Sequence, residues 1–136
     1  MSLSDLPWAY LDQNYELLHL DQTVLENIME STKLDNKEAR NQLAFFQFFG
    51  DQVHQKVESL SQGEKLKCAL AKILLANPAP QFLILDEPTN NLDLSSLEIL
   101  ERALSDFEGA LLVVSHDDVF LENIGVEEVI EIASGG

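Results

Sequence analysis

Leu83-Ile84-Leu85-Asp86-Glu87-Pro88-Thr89 is an apolar run that ends abruptly in two carboxylates and a proline. A short run of this kind predicts a strand that is buried on both faces of a parallel sheet. In open α/β sheets, ligands bind at the carboxyl ends of the strands. One carboxylate there can hold hydrated Mg²⁺ while the other polarises a water molecule, which is the minimum for hydrolysing a nucleoside triphosphate. An isolated Asp-Glu pair is equally compatible with an acidic loop.

The composition is that of one modest, acidic domain. Of the 136 residues, 46% are hydrophobic, and 24 acidic against 8 basic side chains give a formal net charge of −16. We therefore expect no direct binding to nucleic acid or to membrane surfaces, because both depend on Lys and Arg. The single cysteine, Cys68, excludes an internal disulfide and predicts a buried thiol in a reducing, cytoplasmic compartment. No apolar stretch approaches the ~20 residues of a membrane span.

Helical patterns dominate up to residue 59, and helices alternate with strands after it. The predicted helices span residues 23–32, 36–49, 61–76, 94–107 and 117–124, and the predicted strands span residues 82–85, 111–114 and 129–132. The fold class is therefore α/β: a helical subdomain within residues 1–59 and, within residues 60–136, a partial parallel sheet flanked by helices. Four phenylalanines in residues 45–49 are expected in a core or at an interdomain contact.

A second motif is Leu60-Ser61-Gln62-Gly63-Glu64. Ser61 and Glu64 have the spacing of a capping box, which by itself predicts a helix start. Gly63 lies in the first turn, where glycine costs roughly 1 kcal/mol relative to alanine. We interpret it as a point where another backbone or a phosphate approaches the helix closely.

A third motif is Ser115-His116-Asp117, which follows the apolar run of residues 111–114. A lone histidine after a strand is usually a structural hydrogen-bonding group. Here the parallel topology places His116 at the same sheet edge as Asp86 and Glu87, which favours a functional role.

These motifs, in this order, closely resemble those of the ATP-binding cassette (ABC) ATPases. The resemblance extends from about residue 10 to residue 132, and it covers five family motifs. Residues 60–64 resemble the signature motif, residues 82–88 the Walker B strand, residues 91–93 the D-loop, His116 the switch histidine, and residues 10–13 the Q-loop. The run Asp-Glu-Pro-Thr-Asn-Asn-Leu-Asp at residues 86–93 is similar to the ABC-F branch, which acts on ribosomes and has no transmembrane domain.

The resemblance implies a role for each residue at the sheet edge. Asp86 would hold Mg²⁺ through water, and Glu87 would orient or deprotonate the attacking water. His116 would contact the terminal phosphate of ATP, and Gln13 would sense the metal and the attacking water.

The resemblance also implies that a second cassette completes the site. Ser61 and Gly63, in one signature motif with Glu64, would bind the terminal phosphate of ATP held by that other cassette. Asp93 would help to join the two cassettes. Gln62 occupies a position where the family commonly has glycine. This difference puts only the affinity for that phosphate in doubt.

One family motif is absent. No G-x-x-x-x-G-K-[ST] sequence occurs among the 136 residues, so the phosphate cradle and its lysine are missing. We therefore interpret the chain as the C-terminal part of one cassette, which hydrolyses ATP only within the complete two-cassette protein. The strand at residues 111–114 would normally pair with the missing P-loop strand, so we expect the chain to self-associate through this edge.

Two other classes of function are compatible with these motifs. The chain could be a non-catalytic half-cassette that supplies a signature face to a partner. It could also be the C-terminal lobe of a chromosome-maintenance ATPase head, which would require a long heptad coiled coil before the signature motif.

Overall fold

The computed structural model describes residues 8–12, 14–90 and 92–124. Its centre is a three-stranded parallel sheet in the order β1-β2-β3, formed by Trp8–Leu11, Phe82–Asp86 and Ala110–Val114. The register pairs Tyr10 with Ile84 and Ile84 with Leu112. Strands β2 and β3 confirm the sequence prediction to within one residue at their ends. The partial parallel sheet flanked by helices is the predicted fold class.

The described residues form five α-helices: α1 (Val24–Met29), α2 (Asn36–Phe45), α3 (Gln62–Leu74), α4 (Leu94–Ser105) and α5 (Asp118–Asn123). Two short 3₁₀ helices, Gly50–His54 and Val57–Ser59, lie between α2 and α3. Every α-helix begins after a Thr, Asp or Ser whose side chain accepts a hydrogen bond from a backbone N–H of the first turn. These caps satisfy amide groups that have no partner inside the helix.

The hydrophobic core lies between the helices and one face of the sheet. Leu83 and Leu85 of β2 point into it and are fully buried, as is Cys68 of α3. Burial raises the pKa of the Cys68 thiol to about 12, so this cysteine is a small hydrophobic residue, as predicted.

The opposite face of the sheet has no covering layer among the described residues. Trp8, Tyr10, Leu112 and Val114 lie on it and are 56%, 44%, 47% and 42% exposed. Parallel sheets are normally covered on both faces. The open face is therefore an apolar surface on which a further segment or partner could pack.

Strand β1 was not predicted from the sequence. Its four residues lie in the part of the chain that reads as helical, yet they pair in parallel with β2 across more than 70 intervening residues. The predicted strand at residues 129–132 lies outside the described residues.

Helix α2 ends four residues before the predicted end, and its stop is not Gly50. Gln47 adopts φ = 66°, in the left-handed region. The N–H of Phe48 donates to the carbonyl of Leu43 at 3.1 Å, and the N–H of Gln47 donates to that of Ala44 at 3.0 Å. This is a Schellman motif, with Gln47 in the position that usually holds glycine.

The four phenylalanines after α2 divide between two environments. Phe46 and Phe48 are buried, and the ring of Phe48 lies 5.7 Å from the Lys67 ammonium in a cation–π contact. Phe45 and Phe49 are exposed. Half of the predicted core cluster therefore faces solvent.

Candidate active site

The carboxyl ends of β2 and β3 form the candidate active site. Asp86 is the last residue of β2, and Glu87 follows it with φ = 47°, a conformation that non-glycine residues rarely adopt. The Glu87 N–H donates to the carbonyl of Val114 at 2.7 Å, which extends the pairing of the two strands by one bond. The backbone of Glu87 is thereby held in a strained turn that directs its side chain away from the strand.

The structure brings Glu87 and His116 together. His116 Nε2 lies 3.4 Å from Glu87 Oε1, and the two side chains are 93% and 24% exposed. The Glu87 side chain is thus mostly buried, whereas the His116 side chain is almost fully exposed. No Lys or Arg of the described residues forms an ion pair with Asp86 or Glu87, so any polyphosphate at this edge needs positive charge from elsewhere.

Asp86 has a partner that the sequence analysis did not identify. The Tyr10 hydroxyl donates to Asp86 Oδ2 at 3.1 Å. This hydrogen bond to a carboxylate raises the pKa of Tyr10 above its usual value. The only sequence signal was the position of Tyr10 at the start of the Q-loop motif, and the contact itself depends on the register of β1 against β2.

Ser61 and Glu64 form the predicted capping box at the start of α3. Ser61 Oγ accepts from the Glu64 N–H at 3.2 Å, and Glu64 Oε1 accepts from the Ser61 N–H at 3.0 Å. Both groups are therefore engaged within their own helix. Among the described residues, no hydrogen bond or ion pair connects either of them with Glu87 or His116.

Gly63 is buried against the start of α4 in the same chain. A Cβ on Gly63 would lie 2.5 Å from Ser96 Oγ and closer still to the Asp93 carboxylate. The predicted partner was a backbone or a phosphate, whereas in this structure the close approach is made by the side chains of Ser96 and of Asp93, the residue that caps α4. The absence of a side chain allows α3 and α4 to pack at their N-terminal ends.

Asp93 caps α4 with both carboxylate oxygens. They accept from Ser95 Oγ at 2.7 Å, from Ser96 Oγ at 2.8 Å and from the Ser96 N–H at 3.2 Å. Donation from Ser95, and then from Ser96, lowers the pKa of Asp93 to about 2. The D-loop carboxylate is thus an anion engaged by its own helix.

Gly63→Ala is expected to lower the free energy of unfolding by about 1–3 kcal/mol, because the new methyl group overpacks the contact with Asp93 and Ser96. Helix propensity alone predicts the opposite, a gain of ~1 kcal/mol. Chemical denaturation would measure the change. Lys37→Ala, at the corresponding second position of α2 but exposed, is the matched control and should change stability by less than about 0.5 kcal/mol. A stabilised Gly63→Ala protein would contradict this packing role.

Buried polar contacts fix the loop that follows β1. The fully buried Asn27 donates through Nδ2 to the carbonyls of His19 and Thr23, at 3.1 and 3.0 Å, and its Oδ1 accepts from the His19 N–H at 2.8 Å. Lys72 of α3 donates to the Leu17 carbonyl at 2.9 Å. The loop is thereby attached to both α1 and α3. Gln13, the predicted Q-loop glutamine, and Asn91 of the predicted D-loop lie outside the described residues.

The donor set at the strand ends fits part of a magnesium site. Within the described part of the chain, no three His, Cys, Asp or Glu side chains lie close enough to hold a metal ion on their own. Mg²⁺ is commonly held by one or two carboxylates together with waters and substrate phosphates. Asp86 and Glu87 can supply the carboxylate share of such a site.

A cavity of about 850 Å³ lies at the opposite edge of the sheet. It is enclosed by the C-terminal ends of α2, α3 and α4, and Gln81 and Gly109, just before β2 and β3, line it. None of its lining residues is a predicted site residue. The candidate chemistry therefore lies on the open carboxyl edge and outside this cavity.

Comparison with known proteins shows the family to which this chain belongs. A family profile described as ABC transporter matches residues 3–90. The chain is 46% identical over 132 residues to the putative ATP-binding protein YdiF of Bacillus subtilis, covering 96% of this chain and 20% of that protein. It is 39% identical over 128 residues to ABC transporter F family member 5 of Arabidopsis thaliana, covering 93% and 18%. The chain belongs to the ABC ATPase family and is related to its ABC-F members.

The chain spans about a fifth of the length of these relatives. No helix among the described residues combines the length and apolarity needed to cross a membrane. Among residues 14–60, the structure forms short α- and 3₁₀ helices and contains no long coiled coil of the kind that a chromosome-maintenance head requires.

Two solved structures share the fold. A dimeric ATP-binding cassette in a post-hydrolysis state, bound to ADP and Pi, matches with a TM-score of 0.69 at 21% identity, covering 90% of this chain and 60% of that one. Archaeal ribosome recycling factor aABCE1, in complex with ribosomal stalk protein aP1, matches with a TM-score of 0.70 at 23% identity, covering 88% and 23%. At these identities, the likeness establishes the fold alone.

Proposed function

We propose that the chain is the C-terminal part of one cassette of an ABC-F-like ATPase, with a Q-loop segment and helical subdomain in residues 1–59 and the signature helix and half of the catalytic core in residues 60–136. ATP would be hydrolysed by the complete two-cassette protein in the cytoplasm. The observation that carries this proposal is the meeting of Glu87 and His116, 3.4 Å apart, at the ends of adjacent parallel strands. Family membership supports ATP as the nucleotide.

The proposed chemistry assigns one task to each of four residues, three at the carboxyl ends of β2 and β3 and the fourth Gln13. Glu87 orients or deprotonates the attacking water, and His116, with its ring free in solvent, contacts the terminal phosphate. Asp86 holds Mg²⁺ through water, and Gln13 senses the metal and the water. When bound, Mg²⁺ supplies the positive charge that this acidic edge lacks.

The second cassette would contact the surface of the chain that carries the signature motif and Asp93. Ser61, Gly63 and Glu64 form the signature motif at the N-terminus of α3, where the helix dipole favours an anion such as the terminal phosphate of the partner's ATP. Asp93 would help to join the cassettes through the backbone of its turn, because its carboxylate caps α4. The dimeric state of the ADP-bound structural neighbour supports a two-cassette arrangement.

We also propose that the complete protein couples ATP hydrolysis to the ribosome and not to membrane transport. It rests on similarity to ABC transporter F family members and on the structural neighbour that binds a ribosomal stalk protein. The alternative is a non-catalytic half-cassette that supplies its signature face to an intact partner. The upstream coding sequence distinguishes the two, because only the first requires a P-loop in the same reading frame.

The 136-residue chain alone is expected not to turn over ATP. Its carboxylates face a triphosphate without a phosphate cradle or a lysine, and like charges repel. Phosphate release from purified chain, with and without Mg²⁺, would measure this. Turnover that disappears in Glu87→Gln would contradict the prediction, whereas turnover that survives the substitution would identify a contaminant.

The chain is also expected to self-associate. Strand β3 pairs with β2 alone among the described residues, its open-face side chains are apolar, and neither Lys nor Pro lies within it to discourage edge pairing. Repulsion from the net charge of −16 is screened beyond about 10 Å at ordinary salt. Light scattering over a dilution series should show a mass that rises with concentration.

Val114→Lys tests the surface involved in self-association. A charge on the open face should shift the chain towards the monomer. Val119→Lys is the matched control, because Val119 is equally apolar and 67% exposed but lies on α5. A strictly monomeric wild-type chain at high concentration, or equal effects of the two substitutions, would rule out association through this sheet.

A further inference from the structure

Tyr10 and Asp86 lie side by side on the open face of the sheet. The parallel register pairs Tyr10 with Ile84, and side chains two residues apart on a strand share a face, so Asp86 is the diagonal neighbour of Tyr10. The hydroxyl reaches across this diagonal to Asp86 Oδ2 at 3.1 Å. Asp86 Oδ1 receives no hydrogen bond from any described residue.

A single neutral donor on one oxygen orients a carboxylate without neutralising it. An unrestrained aspartate rotates about χ2, which is a broad torsion, and it loses that freedom when a metal or its water is bound. Hydrogen-bonding partners of ligating carboxylates reduce this cost and fix the direction in which the free oxygen points.

We propose that Tyr10 is a positioning residue that orients Asp86 for Mg²⁺ through its hydroxyl. The proposal rests on the proposed function, since it requires Asp86 to be the metal-holding carboxylate. It connects β1, whose last two residues begin the Q-loop motif, directly with the end of the Walker B strand. A change in the docking of β1 would then alter metal binding before any contact with nucleotide.

The test is a Mg²⁺ titration of the full 136-residue chain, followed through the backbone amide shifts of Asp86 and Glu87. Ionic strength is held constant so that general screening of the acidic surface does not change. Tyr10→Phe keeps the ring on the sheet and removes only the hydroxyl. It should weaken the Mg²⁺ response at Asp86 by about 10-fold or more. Trp8→Phe, an aromatic substitution on the same strand and face, is the matched control and should leave the response unchanged.

Four further results separate the interpretations. Asp86→Asn should abolish the local Mg²⁺ response, which establishes that the shifts report this carboxylate. If the wild-type chain responds and Tyr10→Phe responds equally well, the positioning role is wrong while the proposed function stands. If the wild-type chain shows no response at Asp86, the positioning proposal is overturned, while the proposed ATP hydrolysis is tested separately by Glu87→Gln in the complete two-cassette protein. A thermal midpoint lowered in Tyr10→Phe, with unchanged Mg²⁺ affinity, would show that the hydroxyl only anchors β1, and would also overturn the proposal.

Discussion

Glu87→Gln is expected to reduce ATP hydrolysis by the complete two-cassette protein by ~10² or more. The amide keeps the size and the hydrogen-bonding reach of the carboxylate, but it does not accept a proton from the attacking water. Binding of ATP and closure of the two cassettes should persist, because neither needs a base. Phosphate release under single-turnover conditions would measure the chemical step directly.

Two control substitutions separate loss of chemistry from loss of structure. Glu98→Gln removes an exposed carboxylate from α4 and should leave turnover unchanged. Ser61→Arg should instead block closure, because the long side chain fills the phosphate position offered to the partner cassette. Near-normal turnover in Glu87→Gln would exclude the role assigned to Glu87.

Asn27→Leu is expected to lower the free energy of unfolding by about 3 kcal/mol. The leucine side chain fits the volume but leaves the His19 N–H without the Asn27 Oδ1 that now lies 2.8 Å away, and it leaves the His19 carbonyl with the Gln22 N–H as its remaining donor. The loop after β1 would then lose its buried attachment to α1 and keep the exposed ion pair between His19 and Glu30 at the end of that helix. Urea denaturation followed by circular dichroism would give the change in stability.

Asn41→Leu provides the comparison for this substitution. Asn41 also lies within a helix, but it is exposed and its side chain makes no hydrogen bond to another described residue. A surface change of this kind should alter stability by less than about 0.5 kcal/mol. Equal effects at the two positions would mean that the buried amide contributes nothing beyond its helical position.

The elements with long, regular patterns could be predicted from the sequence. Strands β2 and β3 are apolar runs with clear boundaries, and α3 and α4 begin at Ser61 and Asp93, which are strong N-caps. The end of α2 could not be predicted, because a left-handed glutamine leaves no signal comparable to that of glycine. Strand β1 was missed because four residues carry little periodicity, and its pairing is long-range.

The candidate site was likewise only partly predictable from the sequence. Sheet topology alone predicts that Glu87 and His116 share an edge, and the structure places them in contact. The partners of Gly63 and of Asp86 depend instead on how α4 and β1 pack in three dimensions, which no local pattern encodes. The roles assigned to Ser61, Glu64 and Asp93 towards a second cassette remain predictions.

Because the backbone of Glu87 is left-handed, the direction of its carboxylate depends on the pairing of β2 with β3. A non-glycine residue in that region is about 1–2 kcal/mol above the relaxed backbone, and here the 2.7 Å bond to the Val114 carbonyl helps to offset the difference. If β3 separates from β2 or slips by one residue, the bond breaks and the backbone relaxes. The carboxylate would then change direction without any change at a bound nucleotide, so that the proposed hydrolysis would depend on the intact pairing of β2 and β3.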